Sequence, residues 1–133
     1  MEKTTKRFSR ISKRSSETAR TRVLQTEELA KCLARLIDEK KGQDIIIFDL
    51  KGISPITDYF VICTGLSEIH NRTIAESLIE YEKPTHIEGL ESDNWVLLDF
   101  IDVIVHVFSD ETRQFYGLGR LWGDAPQVAY NSD

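Results

Sequence analysis

The sequence has few cysteines and no long apolar run, and both shortages narrow the protein classes it can belong to. Of 133 residues only two are cysteines, Cys32 and Cys63, which lie far apart in apolar segments. We therefore expect reduced, packed thiols in a cytosol-like compartment rather than a disulfide or a redox pair. No run approaches the roughly 18 apolar residues of a membrane span, and none near the start resembles a secretory signal. These absences predict a cytoplasmic or organellar-matrix protein with no membrane partner.

The sequence also lacks the patterns of common catalytic and metal sites. Its three histidines lie on separate predicted elements without an i, i+4 pair, so no zinc site is predicted. The Walker pattern, the Gly-x-Gly-x-x-Gly dinucleotide pattern and the Gly-x-Ser-x-Gly pattern of serine hydrolases are absent. We therefore expect no catalytic residue, no metal and no cofactor.

Charge is distributed unevenly along the chain. Residues 1–22 hold eight Lys and Arg against two acids, a net charge of +6, whereas the remainder carries −11 and the whole chain −5. Large apolar side chains are scarce before residue 24, so residues 1–24 are predicted to be a basic, disordered tail. Such a tail could solubilise the protein, contact nucleic-acid phosphates or act as an organellar transit peptide. The acidic body suits a basic protein partner.

Apolar periodicity predicts one domain over residues 25–123, followed by a loose tail over residues 124–133. Thr26 is the expected N-cap of a helix ending near residue 41. Further helices are expected from Ser67 to about Tyr81 and after Ser109, with Tyr81, Phe115, Leu118 and Leu121 facing inward. Strands are predicted at residues 44–50, which is expected to be central, at 58–64 and 86–90, and in a hairpin. The order α-β-β-α-β-β-β-α indicates an α/β (α+β) domain with a mixed sheet of about five strands flanked by helices.

The hairpin, residues 94–108, carries the most informative pattern. With Phe100 and Ile101 as a two-residue loop, Asp99 pairs with Asp102 and Trp95 with His106. Alternation makes one hairpin face entirely aliphatic and gives the other an indole, an imidazole and two carboxylates. An unpaired aspartate is costly in a core, so the second face should meet water or a partner. The residues of that face are Trp95, Leu97, Asp99, Asp102, Ile104 and His106.

Two other functions remain open at this point. Gly65-Leu66-Ser67, at a predicted strand-to-helix turn, is similar to the Gly-Ser motif with which nucleotidyltransferases hold a phosphate on helix amides. Those enzymes also need two strand carboxylates one residue apart to hold Mg²⁺, and Asp99 and Asp102 are three apart. The alternative is therefore a nucleotidyltransferase-like phosphoryl-transfer enzyme whose metal-binding motif is missing. A nucleic-acid-binding adaptor that acts through the basic tail is the other.

Several motifs resemble the ribosomal silencing factor (Iojap) family, in its order and spacing, between residues 29 and 122. They are Gly42-Gln43-Asp44-Ile45, Thr57-Asp58, Ile62-Cys63-Thr64-Gly65, Trp95 with Asp99, Asp102-Val103-Ile104-Val105-His106-Val107, and Phe115-Tyr116-Gly117-Leu118-Gly119-Arg120-Leu121-Trp122. The resemblance implies a non-catalytic relative of the nucleotidyltransferase fold that binds ribosomal protein fourteen of the large subunit. Binding there blocks joining of the small subunit and represses translation when nutrients are scarce. A role in large-subunit maturation is implied as well.

The resemblance also implies which residues bind the partner. The family's partner-binding surface falls on the hairpin, where the matching positions are Trp95, Asp99 and Asp102. Face geometry alone adds Leu97, Ile104 and His106, and Tyr59 is a further candidate. Ile101 occupies a position where the family usually has glycine. The basic residues 1–22 lie outside the family pattern, and we expect them to contact ribosomal RNA. The free protein could form a homodimer through an exposed strand or the same surface.

Overall fold

The computed structural model describes residues 16–92, 94–117 and 123–130 of the chain. The elements are α1 (Ser16–Glu39), β1 (Gln43–Asp49), β2 (Tyr59–Gly65), α2 (Glu68–Tyr81), β3 (His86–Glu88), β4 (Trp95–Asp99), β5 (Val103–Ser109) and α3 (Asp110–Tyr116). The strands form one sheet in the order β1-β2-β5-β4-β3, in which β2 and β5 are parallel and all other neighbours antiparallel. The predicted element order and fold class are confirmed. None of the described helices is long and apolar enough to cross a membrane.

Helix α1 begins ten residues before the predicted cap. Thr26 is a buried residue within the helix rather than its N-cap. Helix-favouring residues continue upstream of it, and residues 16–39 contain no glycine or proline that would end the helix. The predicted disorder of residues 16–24 is therefore wrong, and residues 1–15 lie outside the described part of the chain. At its other end the helix closes in a Schellman motif, in which the Gly42 N–H donates to the Ile37 carbonyl at 2.9 Å.

Each face of the sheet has its own buried cluster. Helices α1 and α2 pack on the inner face, where Val96, Leu98, Val103, Val105 and Val107 of the hairpin are fully buried, as the aliphatic pattern predicted. The outer face carries a more aromatic cluster. Its members are Phe48, Leu50, Ile62, Phe108 and Ala125, with Ile46, Phe60 and Trp95 packed around them. The sheet is therefore buried on both sides over β1, β2 and β5, although only its inner face lies under α1 and α2.

Strand β1 lies at the edge of the sheet, not at its centre as predicted. Its apolar run reflects burial of both faces, since Ile47 belongs to the inner cluster and Phe48 to the outer one. Its outer edge is covered by the C-terminal segment. There the Asp49 N–H donates to the Pro126 carbonyl at 2.8 Å, and the Val128 N–H donates to the Ile47 carbonyl at 2.9 Å. The segment after residue 123, expected to be loose, is thus bonded to the sheet.

The β4–β5 hairpin turns one residue later than predicted. The Phe100 N–H donates to the Val103 carbonyl at 2.8 Å, so Ile101 and Asp102 form the two-residue loop. Ile101 has a φ of 74°, the left-handed conformation that some hairpin turns require at their first central position. A β-branched residue is strained there, so local preference gives no indication of this turn. The observed pairs are Trp95 with Phe108, Leu97 with His106, and Asp99 with Ile104.

Replacing Ile101 by glycine should stabilise the fold. A strained residue at positive φ costs about 1–3 kcal/mol, whereas the greater chain entropy of glycine takes back about 0.5–1 kcal/mol. Ile101 is 53% exposed, so its removal loses only about half of the burial that a core isoleucine would lose. We expect the free energy of unfolding in urea to rise by about 1 kcal/mol. The control is Ile56→Gly, in a loop without positive φ at that residue, which should be slightly destabilising. A loss of stability in Ile101→Gly would contradict the strain argument.

Candidate partner-binding site

Strand β4 presents a row of three side chains on the outer face of the sheet. Trp95, Leu97 and Asp99 are partly exposed and alternate with the fully buried Val96 and Leu98. The next strand is the exposed edge strand β3, in which His86 lies opposite Asp99 and Glu88 opposite Leu97. The predicted combination of an indole, an aliphatic side chain and carboxylates therefore lies together near one edge of the sheet. We call Trp95, Leu97 and Asp99 the β4 surface.

Three predicted site residues are not accessible parts of this surface. Tyr59 points to the inner face and is fully buried, with its hydroxyl 2.6 Å from Lys51 Nζ. Ile104 and His106 lie on the outer face but are only 8% and 5% exposed. They are covered because β5 is a central strand, with β2 on one side and β4 on the other. The sequence showed which way these side chains point but not how deeply they lie.

Asp102, the remaining predicted residue, is partly exposed in the hairpin loop beside the β4 surface. Its backbone carbonyl accepts the N–H groups of Asp58 and Tyr59, each at 3.1 Å, which ties the hairpin loop to the start of β2. The Asp99 carboxylate accepts the Ile101 N–H at 2.7 Å and so holds the same loop from within. The two aspartates therefore also order the hairpin loop.

The buried His106 fixes the orientation of the Trp95 indole through a hydrogen bond. The two residues are diagonal rather than opposite as predicted, yet Trp95 Nε1 donates to His106 Nδ1 at 3.1 Å. The imidazole also stacks on Phe108, with ring centroids 5.7 Å apart, and meets the edge of Phe60 at 4.6 Å. Because Nδ1 accepts, the neutral ring carries its proton on Nε2. Desolvation by burial lowers the pKa of His106 to about 4, so the ring is neutral near pH 7.

Acid should destabilise the protein through His106. The pKa of this group is about 4 in the folded state against 6.5 for an ordinary histidine, so the unfolded chain binds the proton more tightly. The contribution of His106 to the free energy of unfolding is therefore fully present above pH 6.5 and is lost as the pH falls towards 4. Between pH 7.5 and 5.5 we expect a loss of about 1.3 kcal/mol in the free energy of unfolding. In urea unfolding, the loss of stability between these two pH values should be smaller by about 1.3 kcal/mol in His106→Gln than in the parent protein. The control is His86→Gln, at an exposed position, which should lose as much stability as the parent protein does.

A groove of about 510 Å³ adjoins the β4 surface, between the start of β4 and α3. It is lined by Ser92, Asn94, Trp95, Glu111, Thr112 and Phe115. Phe115 was predicted to face inward but is 80% exposed. The seven-residue α3 is held at its other side, where Arg113 donates to the Asp44 carbonyl at 2.6 Å and to Thr64 Oγ1 at 2.8 Å. Leu118 and Leu121, also predicted to face inward, lie outside the described residues.

The groove supplies two site residues that the sequence reasoning missed. Glu111 and Phe115 are four residues apart, so a helix places them on the same side. That spacing was the available signal, but the sequence prediction placed Glu111 in the first turn of the helix and grouped Phe115 with Leu118 and Leu121 as inward-facing residues. Together with Trp95 they give the groove two aromatic rings and a carboxylate, a combination that suits a cationic or aromatic side chain of a partner.

The Gly65-Leu66-Ser67 turn is occupied by contacts within the chain. Ser67 is the N-cap of α2, and its hydroxyl accepts the His70 N–H at 3.0 Å. The Leu66 N–H donates to His70 Nδ1 at 2.9 Å. A Cβ at Gly65 would overlap the Asn71 side chain, so glycine is needed there for close packing of α2 on β2. Two of the amides at this turn, those of Leu66 and His70, are thus already bonded within the chain.

The pocket beside this turn is acidic. It measures about 350 Å³ and includes Asp44, Glu68 and Asp110 in its lining. Three carboxylates repel a phosphate. Among the described residues no cluster of three His, Cys, Asp or Glu is arranged to hold a metal ion. The observed geometry therefore favours helix capping at this turn over the nucleotidyltransferase alternative.

Comparison with known proteins shows which family this chain is similar to. Residues 23–133 match the family model described as "Ribosomal silencing factor during starvation". Ribosomal silencing factor RsfS of Halalkalibacterium halodurans is 40% identical over 110 residues, which cover 79% of this chain and 94% of that protein.

The similarity extends to eukaryotic proteins and to solved structures. "Mitochondrial assembly of ribosomal large subunit protein 1" of Mus musculus is 31% identical over 98 residues, which cover 68% of this chain and 43% of that protein. A crystal structure of a Chromobacterium violaceum protein superposes with a TM-score of 0.68 at 28% identity, covering 80% of this chain and 92% of that one. The family match, the relatives and the shared fold together show that this chain belongs to the ribosomal silencing factor family.

Proposed function

We propose that the protein binds ribosomal protein fourteen of the large ribosomal subunit and so prevents the small subunit from joining, which represses translation. The observation that carries this proposal is the β4 surface, an indole and a carboxylate displayed together beside an open groove. Family membership and the name of the mouse relative support the large subunit as the target. The same binding would serve large-subunit maturation, which that name also supports. Such a role places the protein where ribosomes are assembled, in the cytoplasm or an organellar matrix.

The chemistry of the β4 surface suits a basic ribosomal protein. Glu88, Asp99, Asp102 and Glu111 lie on or beside it, and all four are at least partly exposed. The nearby His86 is already within 2.7 Å of the Glu88 carboxylate. Acidic side chains around an interface accelerate association with a basic partner and select against acidic ones. The indole, held at one orientation by His106, supplies the desolvated contact that dominates the binding energy of many interfaces.

Binding alone suffices for this mechanism. A domain that occupies the face where the small subunit docks excludes that subunit sterically, without turnover of a substrate. The fraction of silenced large subunits then follows the concentration of free protein relative to its Kd, with half occupied when the two are equal. Release of the protein restores the subunit unchanged.

The test is sedimentation of the purified protein with isolated large subunits, followed by addition of small subunits. We expect the protein to sediment with the large subunit and the joined-ribosome peak to decrease in proportion to occupancy. Failure to bind large subunits at moderate salt would contradict the proposal. Magnesium-dependent consumption of a nucleotide that Asp99→Ala abolishes would instead support the phosphoryl-transfer alternative.

Residues 1–15 should add an electrostatic contact with ribosomal RNA. They contain six Lys and Arg against one acid. Each phosphate contact contributes roughly 0.7–0.9 to the magnitude of the slope of log affinity against log salt, so deleting all six cations should lower that magnitude by up to about 5. The deletion stops at residue 15 because α1 begins at Ser16. Large-subunit binding would be measured between about 50 and 200 mM salt, the range over which phosphate contacts change the affinity strongly. Identical slopes for the two proteins would refute the RNA contact.

A further inference from the structure

Three isoleucines are exposed on two loops at one end of the sheet. Ile53 and Ile56 lie in the β1–β2 loop, and Ile101 lies in the β4–β5 turn. Strands β2 and β5 are parallel neighbours, with Tyr59 beside Val103, so the loops that precede them are at the same end. All three side chains are about half exposed or more. We call Ile53, Ile56 and Ile101 the isoleucine patch.

Hydrogen bonds order both loops that carry the patch. The Asp102 carbonyl, one residue after Ile101, accepts the Asp58 N–H at 3.1 Å and so joins the turn to the loop. Within the loop the Ile53 N–H donates to the Leu50 carbonyl at 2.9 Å, and the Ile56 N–H donates to Ser54 Oγ at 3.1 Å. An ordered apolar surface loses less conformational entropy on binding than a loose one does.

Ile101 is held exposed in a strained conformation. Its φ of 74° lies in the left-handed region, which glycine adopts without strain and a β-branched residue does not. Its side chain is 53% exposed, so burial within this chain does not account for an isoleucine there. A strained residue that displays an apolar side chain to solvent points to a contact made with another molecule.

We infer that the isoleucine patch is a second, apolar anchor for the basic ribosomal protein that the β4 surface binds, and that it packs into an apolar depression bordered by basic side chains. This inference rests on the proposed function. The Asp99 carboxylate belongs to the β4 surface and accepts the Ile101 N–H at 2.7 Å, so the two surfaces are contiguous. Residues 49–58 and 99–102 together contain four aspartates and one lysine, a charge that fits a basic protein and opposes binding to an anionic membrane.

The decisive variant is Ile101→Gly, because folding and binding should change in opposite directions. We expect it to be more stable than the parent protein yet to bind large subunits about fivefold more weakly, as loss of one buried apolar contact would cause. Ile56→Ser should weaken binding by a similar factor. The matched control is Ile69→Ser, at the start of α2 beyond the other end of the sheet, where the side chain is 75% exposed against 77% for Ile56. Its affinity for large subunits should be unchanged.

The outcomes separate this inference from the function on which it rests. Parent-like affinity of Ile101→Gly and Ile56→Ser, with the parent protein binding normally, would overturn the isoleucine patch and leave the proposed function intact. Absence of binding by the parent protein would overturn both. Sedimentation equilibrium of the free protein and flotation with phosphatidylcholine vesicles complete the test. Loss of self-association or of vesicle binding in Ile101→Gly, with unchanged large-subunit binding, would assign the patch to a second copy or to a membrane and overturn the inference.

Discussion

Replacing Trp95 by alanine should weaken binding to large ribosomal subunits by at least about 30-fold. Central aromatic residues at protein interfaces contribute about 2 kcal/mol or more, which corresponds to that factor. The indole is suited to this role because His106 and Phe108 support it from below, at 3.1 Å through the hydrogen bond and 5.0 Å between ring centroids. A titration of labelled protein with large subunits, followed by sedimentation, measures the effect.

The control for Trp95→Ala is Tyr81→Ala. Tyr81 is an aromatic residue about half exposed at the end of α2, on the helical side of the sheet, so its loss should leave the affinity unchanged. Thermal unfolding of both variants shows whether they remain folded at the assay temperature. Unfolding of Trp95→Ala there would mean that the indole is a core residue and that the β4 surface is assigned to the wrong face. A folded Trp95→Ala variant with parent affinity would remove Trp95 from the contact.

Replacing Gly65 by alanine should lower the free energy of unfolding by about 2–3 kcal/mol, or the Tm by about 8 °C. A Cβ at this position overlaps the Asn71 side chain and lies 3.4 Å from Asn71 Cα. Asn71 is buried in the first turn of α2 and cannot swing into solvent. The helix would therefore have to move away from β2, which loosens the inner cluster. Thermal and urea unfolding measure the loss.

Gly52→Ala is the matched control for Gly65→Ala. Gly52 has a φ of 80° but no atom within 4 Å of its would-be Cβ, so this variant isolates backbone strain from overlap and should lose only about 1 kcal/mol. Equal losses in the two variants would contradict the overlap argument. Gly65→Ala should also keep the parent affinity for large subunits at a temperature where it is folded, because the Gly65 turn is separate from the β4 surface. If Gly65 held a phosphate instead, the same variant would lose nucleotide binding without the loss of stability.

The sequence predicted the faces of the hairpin correctly even though it placed the turn wrongly. Moving the two-residue loop from Phe100-Ile101 to Ile101-Asp102 shifts each cross-strand partner by two residues, and strand side chains alternate with a period of two. The cross-strand partner of Trp95 is therefore Phe108 instead of the predicted His106, but Trp95 lies on the predicted face of the sheet. The turn itself could not be predicted because an isoleucine with positive φ contradicts local preference, and only the rest of the fold holds it there.

Burial depth was the less predictable property. The pattern of β5 assigned His106 to the outer face, but its 5% exposure depends on β2 pairing beside it, a contact between segments more than 40 residues apart in sequence. The edge position of β1 has the same origin, since its apolar run resembles that of a central strand. Periodicity reports which neighbours a residue faces and not how many strands lie beyond it. The groove beside Phe115 was missed because α3 packs by its Arg113 side rather than by its aromatic one.

The C-terminal segment protects the edge of β1 from pairing with other molecules, which favours a soluble protein. A seven-residue strand with the apolar run of residues 45–48 and an open edge can template pairing with other molecules and so start aggregation. Residues 126–128 occupy that edge of β1 with the chain's own backbone. The opposite edge is β3, which has only three residues and carries His86 and Glu88. Lateral growth of the sheet is thus hindered at both sides, and a chain cut before Pro126 should be lost to aggregates before it could reach a ribosome.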